Sequence, residues 1–179
     1  YQGGEIGPRG THAPGAYSFA HGVECLASGR TSLAIGTACT ASSIGAVALG
    51  EDAVCASHRG IAVGYQSYAG TSNYGIAIGY KAESRALGAV GLGYAARAEG
   101  QRSFAVGDVA VAAGAFSYAL GDGAIASGSY SYALGEGAEA TGTNSMAFGE
   151  DITVSGVNSV GIALADAGSD NVSEDNTLA

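Results

Sequence analysis

Positive charge is scarce in this chain: seven Lys and Arg face sixteen Asp and Glu, a formal net charge of −9. Binding nucleic acid through its phosphates needs clustered basic side chains, and the few present are scattered, so that class of partner is excluded. Tryptophan is absent, and only 13% of residues are charged, well below ordinary globular usage. No uninterrupted apolar run approaches the ~20 residues a spanning helix needs, and no signal peptide opens the chain. Histidine is limited to His12, His21 and His58, far apart in sequence. The stretch Ser131 to Ser145 contains no His, and Gly91-Leu92-Gly93 and Gly121-Asp122-Gly123 do not open helices as a dinucleotide loop would. An enzyme is not expected, nor a cofactor.

What is abundant is glycine, 31 of 179 residues, within a chain that is 47% hydrophobic. Disordered or collagen-like chains reach that glycine content but do not carry so much apolar residue on a fixed beat. The beat is fourteen residues, clearest in SFAVGDVAVAAGAF, SYALGDGAIASGSY, SYALGEGAEATGTN and SMAFGEDITVSGVN from Ser103 to Asn158. Copies begin at Ser18, Ser32, Ala46, Gly60, Gly75, Ala89, Ser103, Ser117, Ser131, Ser145 and Ser159. Every interval is fourteen except Gly60 to Gly75, which is fifteen and predicts a bulge at a turn. A glycine marks position five of each copy until Ala163 replaces it. Residues Tyr1 to Ala16 read as a cap or connector, 17–163 as the repeat array, and 164–179 as a polar insertion followed by the start of a further coil. Three Gly-X-Y triplets from Gly4 to His12 are too few for a collagen helix and fit a glycine-rich cap. Starting at Tyr1 and stopping inside a new copy, the chain reads as a fragment, with targeting and membrane contact in parts outside it.

Within each copy, apolar and small residues alternate with period two on either side of a glycine turn, which predicts two short strands. Helix is disfavoured, since glycine is worse than Ala by about 1 kcal/mol per site. Two strands and two turns make one coil of an all-β parallel solenoid, and coils stack at about 4.8 Å, giving a rod of roughly 50 Å. Position three is Ala or Gly throughout, and positions eight and ten are nearly all Ala, Ser or Cys, so the interior is thin. Positions two and four point the other way and are large, as in Leu33 and Ile35, Ile76 and Ile78, or Phe104 and Val106. A monomer would leave that stripe in water, far beyond the apolar patch soluble monomers expose. Closed cyclic symmetry buries it, and three thin wedges about one axis do so best, which predicts a homotrimer.

The runs Asn144-Ser145-Met146-Ala147-Phe148-Gly149 and Asn158-Ser159-Val160 resemble the Asn-Ser-Val-Ala-Ile-Gly signature of YadA-like head domains of trimeric autotransporter adhesins. The resemblance extends over about Ser18 to Ala163, although most copies lack the Asn and Cys appears inside. It implies a left-handed parallel β-roll trimer exposed at the cell surface, anchored to an outer membrane elsewhere in the chain. It also implies an adhesive role toward host extracellular matrix, glycan or cell surfaces. Similar repeats occur in bacteriophage tail fibres, which implies a bacterial surface receptor as the alternative partner. A solenoid acyltransferase is the reading from another class, but its six-residue rungs and eighteen-residue coils do not match this beat. An ice-binding solenoid would need regular Thr rows, which are absent.

Position six forms an outward column, Val23, Thr37, Glu51, Tyr65, Tyr80, Tyr94, Asp108, Asp122, Glu136 and Glu150. Three tyrosines offer an aromatic strip for glycan or protein contact. Four carboxylates offer an acidic strip for a basic ligand or hard cations such as Ca²⁺. The plainer reading of both is a solvated solenoid face. His21 stands at position four in the apolar stripe, where three copies would converge on the axis and hold a metal or an anion. A lone hydrogen-bonded histidine is the plainer alternative. Cys25 and Cys39 at position eight, and Cys55 at position ten, replace Ala in the interior and read as small buried hydrophobes. A Cys25–Cys39 bridge between stacked coils is the alternative. Reduced cysteines would fit folding in a cytosol, and hence a phage fibre.

Overall fold

The computed structural model describes the backbone of residues 4–6, 10–163 and 170–172, and side chains over 10–163. It forms two compact units, Tyr1–Gly88 and Ala89–Ala179. Each is a parallel β-solenoid whose coils carry one strand in each of two sheets. In the first unit the first sheet runs Gly4–Ile6, Phe19–Val23, Leu33–Thr37, Val47–Glu51, Ile61–Val63 and Ile76–Ile78. In the second it runs Val90–Leu92, Phe104–Val106, Tyr118–Leu120, Tyr132–Leu134, Met146–Phe148 and Val160–Ile162. Two-residue strands such as Thr40–Ala41 and Ile125–Ala126 make the second sheet.

Register confirms the beat read from sequence: Phe104 pairs with Tyr118, Tyr118 with Tyr132, and Tyr132 with Met146. The expected bulge is also present, because Ile76 pairs with Ile61 and Glu83 with Tyr68, each fifteen residues apart. Tyr68 itself pairs with Val54, fourteen residues away, so the extra residue falls between Ala69 and Ile76. The sheets begin before Ser18: Gly4–Ile6 pairs with Phe19–His21, and His12 bridges to Leu26. Thr11 donates to Gly22 O at 2.6 Å, the bond Cys25 makes to Gly36 O one coil later. At the other end Asp170–Val172 pairs with Ile152–Val154; the rest of the polar insertion and further coil lies outside the described residues.

The interior is as thin as the small residues require. Ala20, Ala34, Ala48, Ala105, Ala119 and Ala133 are wholly buried, as are Cys25, Cys39 and Cys55. Large interior side chains occur at Ile152 and Val154, at positions eight and ten of the copy that begins at Ser145. Glycine at position five is needed twice over. At Gly121 φ is +146°, and an added Cβ would lie 2.2 Å from Gly135 O of the next coil. The second turn is closed by a hydroxyl: Ser117, Ser131 and Ser145 each donate to the carbonyl of the glycine three residues earlier at 2.7 Å.

Each coil ends its two turns in left-handed backbone, and mostly without glycine. Glu24, Asp52, Gln66 and Val109 adopt it after the first turn, and Tyr17, Arg59, Arg102, Phe116, Tyr130 and Asn144 after the second. Such φ values disfavour L-residues, so hydrogen bonding and side-chain stacking between coils must hold them. Among the described residues no helix is long and apolar enough to cross a membrane.

Candidate functional site: stacked surface columns

Coil stacking turns each sequence position into a line of side chains. For position six the line is fixed by backbone: Gly123 N donates to Asp108 O, Gly137 N to Asp122 O and Asp151 N to Glu136 O, all at 2.8–2.9 Å. Asp108, Asp122, Glu136 and Glu150 are therefore brought into one exposed column in the second unit. Among the described residues no three His, Cys, Asp or Glu side chains converge as metal ligands would. Acidic side chains one coil apart repel one another, so this column is a line of charge facing solvent.

In the first unit Tyr65 and Tyr80 stack with ring centroids 5.0 Å apart and planes 14° from parallel. Lys81 places its ammonium 5.3 Å from the Tyr80 ring centre. Tyr94, in the second unit, is the most open of the three at 54% exposed. Tyr65 and Tyr80 are themselves 36% and 40% exposed, so part of each side chain is open to contact.

His21 lies on the outer face of the first sheet and is exposed, its ring 6.4 Å from that of Phe19. In the second unit, at position two of their copies, Tyr118 and Tyr132 stack at 4.9 Å and 2°, and Phe104 tilts against Tyr118 at 6.2 Å. Positions two and four are half-covered within their own chain, and several are open: Ile78 is 41% exposed and Ile162 45%.

The three cysteines are free and buried. Cys25 and Cys39 are neighbours but not bridged, with Cys25 Sγ 3.1 Å from Gly36 O and Cys39 Sγ 3.0 Å from Gly50 O. Burial, reinforced by the neighbouring Cys25, pushes the Cys39 thiol up to about 11. Burial also raises Cys55. Cys39 and Cys55 are thus buried thiols that burial holds protonated.

Sequence reasoning missed the column at position fourteen. In the second unit Arg102 lies over Phe116 at 5.5 Å, Phe116 stacks on Tyr130 at 5.0 Å and 1°, and Asn144 donates to Asn158 at 3.0 Å. Its members vary from Arg to Asn, so no residue type betrays the row. The signal was the fixed offset from the position-twelve turn, which sets each of them in left-handed backbone.

The chain matches the family described as the YadA head domain repeat, over residues 27–53, 57–82, 85–110, 110–131 and 126–149. A search of curated proteins finds no match. The matched segments cover well over half the chain and coincide with the coils described above, so this chain belongs to the YadA head domain repeat family.

Proposed function

We propose that this chain is the non-enzymatic head of a trimeric surface adhesin, holding repeated weak contact sites on a stiff scaffold. The observation that carries the reading is the outer face of the first sheet, apolar from coil to coil and left half-open in the single chain. Three copies would close their faces on one another about an axis, leaving position six outward. Tyr65, Tyr80 and Tyr94 would then offer an aromatic strip to a host matrix protein, glycan or receptor. Asp108, Asp122, Glu136 and Glu150 would offer an acidic strip to a basic one. Three chains with repeated rows raise avidity without any strong single contact. His21 would lie on the axis-facing side, where three imidazoles could share an anion or metal.

Sedimentation velocity tests the assembly: a trimer is expected, and a well-folded monomer would overturn it. Binding to matrix-protein and glycan arrays, compared with a Tyr65→Ser/Tyr80→Ser/Tyr94→Ser variant, tests the strip. Equal binding by both proteins rules the tyrosines out. A second reading, a bacteriophage tail-fibre segment, draws support from the three buried free thiols, which suit folding in a reducing cytosol. Flanking sequence separates the two, since a downstream membrane-anchor barrel marks the adhesin and a virion-attachment segment marks the fibre.

A further inference from the structure

We infer that in the first unit the two turn edges of the solenoid are complementary docking surfaces for second copies of this chain, Glu24 and Asp52 of one copy meeting Arg30 and Arg59 of the next. The inference rests on the trimer proposed above, and adds which edges meet and what fixes their register.

Each coil has one edge at its first turn, positions six and seven, and another at its second, positions thirteen and fourteen. Backbone bonds hold both edges at coil spacing: Asp52 N donates to Thr37 O at 2.9 Å on one, and Arg59 N to Ile44 O at 2.8 Å on the other. Glu24, Asp52 and Arg59 all stand in left-handed backbone, at φ of +55°, +53° and +54°. Glu24, Arg30, Asp52 and Arg59 are exposed. Among the described residues none of the four is in an ion pair within the chain; the pairs that form, Glu83–Arg85 and Arg97–Glu99, lie along the second sheet. Arg59 donates to the Tyr74 hydroxyl at 3.3 Å, a neutral partner that leaves its charge uncompensated.

The charges are matched coil by coil. The copy from Ser18 carries Glu24 on one edge and Arg30 on the other, and the copy from Ala46 carries Asp52 and Arg59. Between them, the copy from Ser32 sets Thr37 and Ala38 against Ile44 and Gly45, uncharged on both edges. The copy from Gly60 is uncharged in the same way, with Tyr65 and Gln66 against Asn73 and Tyr74. Attraction within one chain does not account for this. About five residues separate the edges, roughly 16 Å at strand rise and about two Debye lengths in physiological salt.

Rotation about an axis along the stack keeps every chain at one height. A closed ring therefore brings the first-turn edge of one chain to the second-turn edge of the next, each coil beside its own equivalent. Glu24 then meets Arg30, Asp52 meets Arg59, and between those levels Ile44, 38% exposed, meets Ala38. A slip of one coil in either direction parts both acids from both arginines. The apolar stripe on the first sheet is alike from coil to coil and does not separate one register from the next, so the charges supply that selection. The pairing uses position seven, so the position-six strips stay free for outside partners.

Sedimentation equilibrium of the 179-residue chain over a concentration series is the test. Asp52→Arg and Arg59→Asp should each weaken trimer association at least about tenfold at low salt, since three symmetry-related contacts turn from attractive to repulsive. The loss should shrink in 1 M salt. The exchanged variant Asp52→Arg/Arg59→Asp should recover association to within about threefold of wild type, which also shows that either single variant is able to fold. Glu139→Arg makes the same change in net charge on the second sheet of the other unit, and should leave association within about twofold. A monomeric wild type would overturn this assignment and the trimer together. A trimeric wild type with undiminished association of Asp52→Arg, no recovery in the exchanged variant, or an equal loss in Glu139→Arg would overturn the edge pairing and leave the trimer standing.

Discussion

The second turn of the coil is tied by a serine from one side in the second unit and from either side in the first. In the second unit Ser117, Ser131 and Ser145 stand at position one and reach back to the carbonyl of a glycine at position twelve. The first unit begins the same way, with Ser18 and Ser32 bonded at 2.6 Å to Gly15 O and Gly29 O. It then reverses the pair: Ser43 and Ser57 take position twelve, while Ala46 and Gly60 take position one. Now the hydroxyl points forward, Ser43 to Ala56 O at 2.8 Å and Ser57 to Ser72 O. A Cβ on Gly60 would lie 2.3 Å from Ser57 Cβ, so beside Ser57 position one is left to glycine. The corner thus takes its hydroxyl from either position, and the fifteen-residue copy follows one of the two position-twelve serines, Ser57.

The largest effects should come where both units are alike. At position five an added Cβ would meet backbone oxygen at 2.2 Å for Gly121 and 1.7 Å for Gly36, at φ of +146° and +136°. Backbone cannot step aside as a side chain can. Gly121→Ala and Gly36→Ala should therefore each lower stability by more than about 3 kcal/mol, seen as a large drop in thermal midpoint at fixed protein concentration. Gly123→Ala is the control, with φ +63° and no atom nearer than 4.0 Å, and should lower it by about 1 kcal/mol. A mild Gly36→Ala beside a severe Gly121→Ala would show that the first unit relaxes where the second cannot.

The serine exchange is the next lever. Ser57→Ala removes a donor to Ser72 O and an acceptor for Gly75 N, and should destabilise by about 2 kcal/mol in urea titrations. Ser117→Ala removes one buried bond at 2.7 Å, worth about 1 kcal/mol. Ser103 holds the same position, but its buried hydroxyl lacks a partner, so Ser103→Ala should be neutral or slightly stabilising. A Ser103→Ala loss equal to that of Ser117→Ala would mean that position-one serines act by filling space alone.

All three thiols belong to the first unit, which sets it apart at alkaline pH. The folded protein holds Cys39 protonated up to about 11, against an ordinary value of 9.0. A raised folded pKa contributes stability that is whole below the unfolded value and lost as pH climbs toward the folded one. Between pH 9 and 11 the wild type should therefore lose about 1 kcal/mol more than Cys39→Ala, because the variant lacks the Cys39 thiol while Cys25 and Cys55 are present in both proteins. The two proteins are compared by midpoint at each pH, which cancels the titration of Tyr and Lys. Parallel pH profiles would remove Cys39 as the cause.

Much of this architecture was legible before any coordinates. Alternation around Gly107, Gly121 and Gly135 located both strands, and small residues at Ala105, Ala110 and Ala112 set the thin interior. The fifteen-residue interval announced its turn. What could not be read was the bonding at that turn, where Ser57 both donates to Ser72 O and accepts from Gly75 N, because that pair of bonds belongs to one irregular turn. The Arg102, Phe116 and Tyr130 row was hidden for a different reason. Left-handed backbone ordinarily advertises itself through Gly or Asn, and here stacking between coils permits Arg, Phe and Tyr instead.

That same tolerance yields the smallest expected effect. Position seven is left-handed in both units: the first fills it with residues such as Asp52 and Gln66, and the second with Ala95, Gly123, Gly137, Asp151 and one β-branched residue, Val109 at φ +50°. A branch at Cβ worsens the clash with its own backbone in this region. Val109 is 50% exposed, so its side chain gives up little burial when replaced. Its N–H donates to Tyr94 O at 2.8 Å, a backbone bond that substitution preserves. Asn suits the left-handed region, so Val109→Asn should raise stability by about 0.5–1 kcal/mol in urea titrations. Gln66→Asn, where no branch is relieved, should change it by no more than about 0.3 kcal/mol. A Val109→Asn gain no larger than that of Gln66→Asn would mean that coil stacking, not the residue, absorbs the conformational cost at this position.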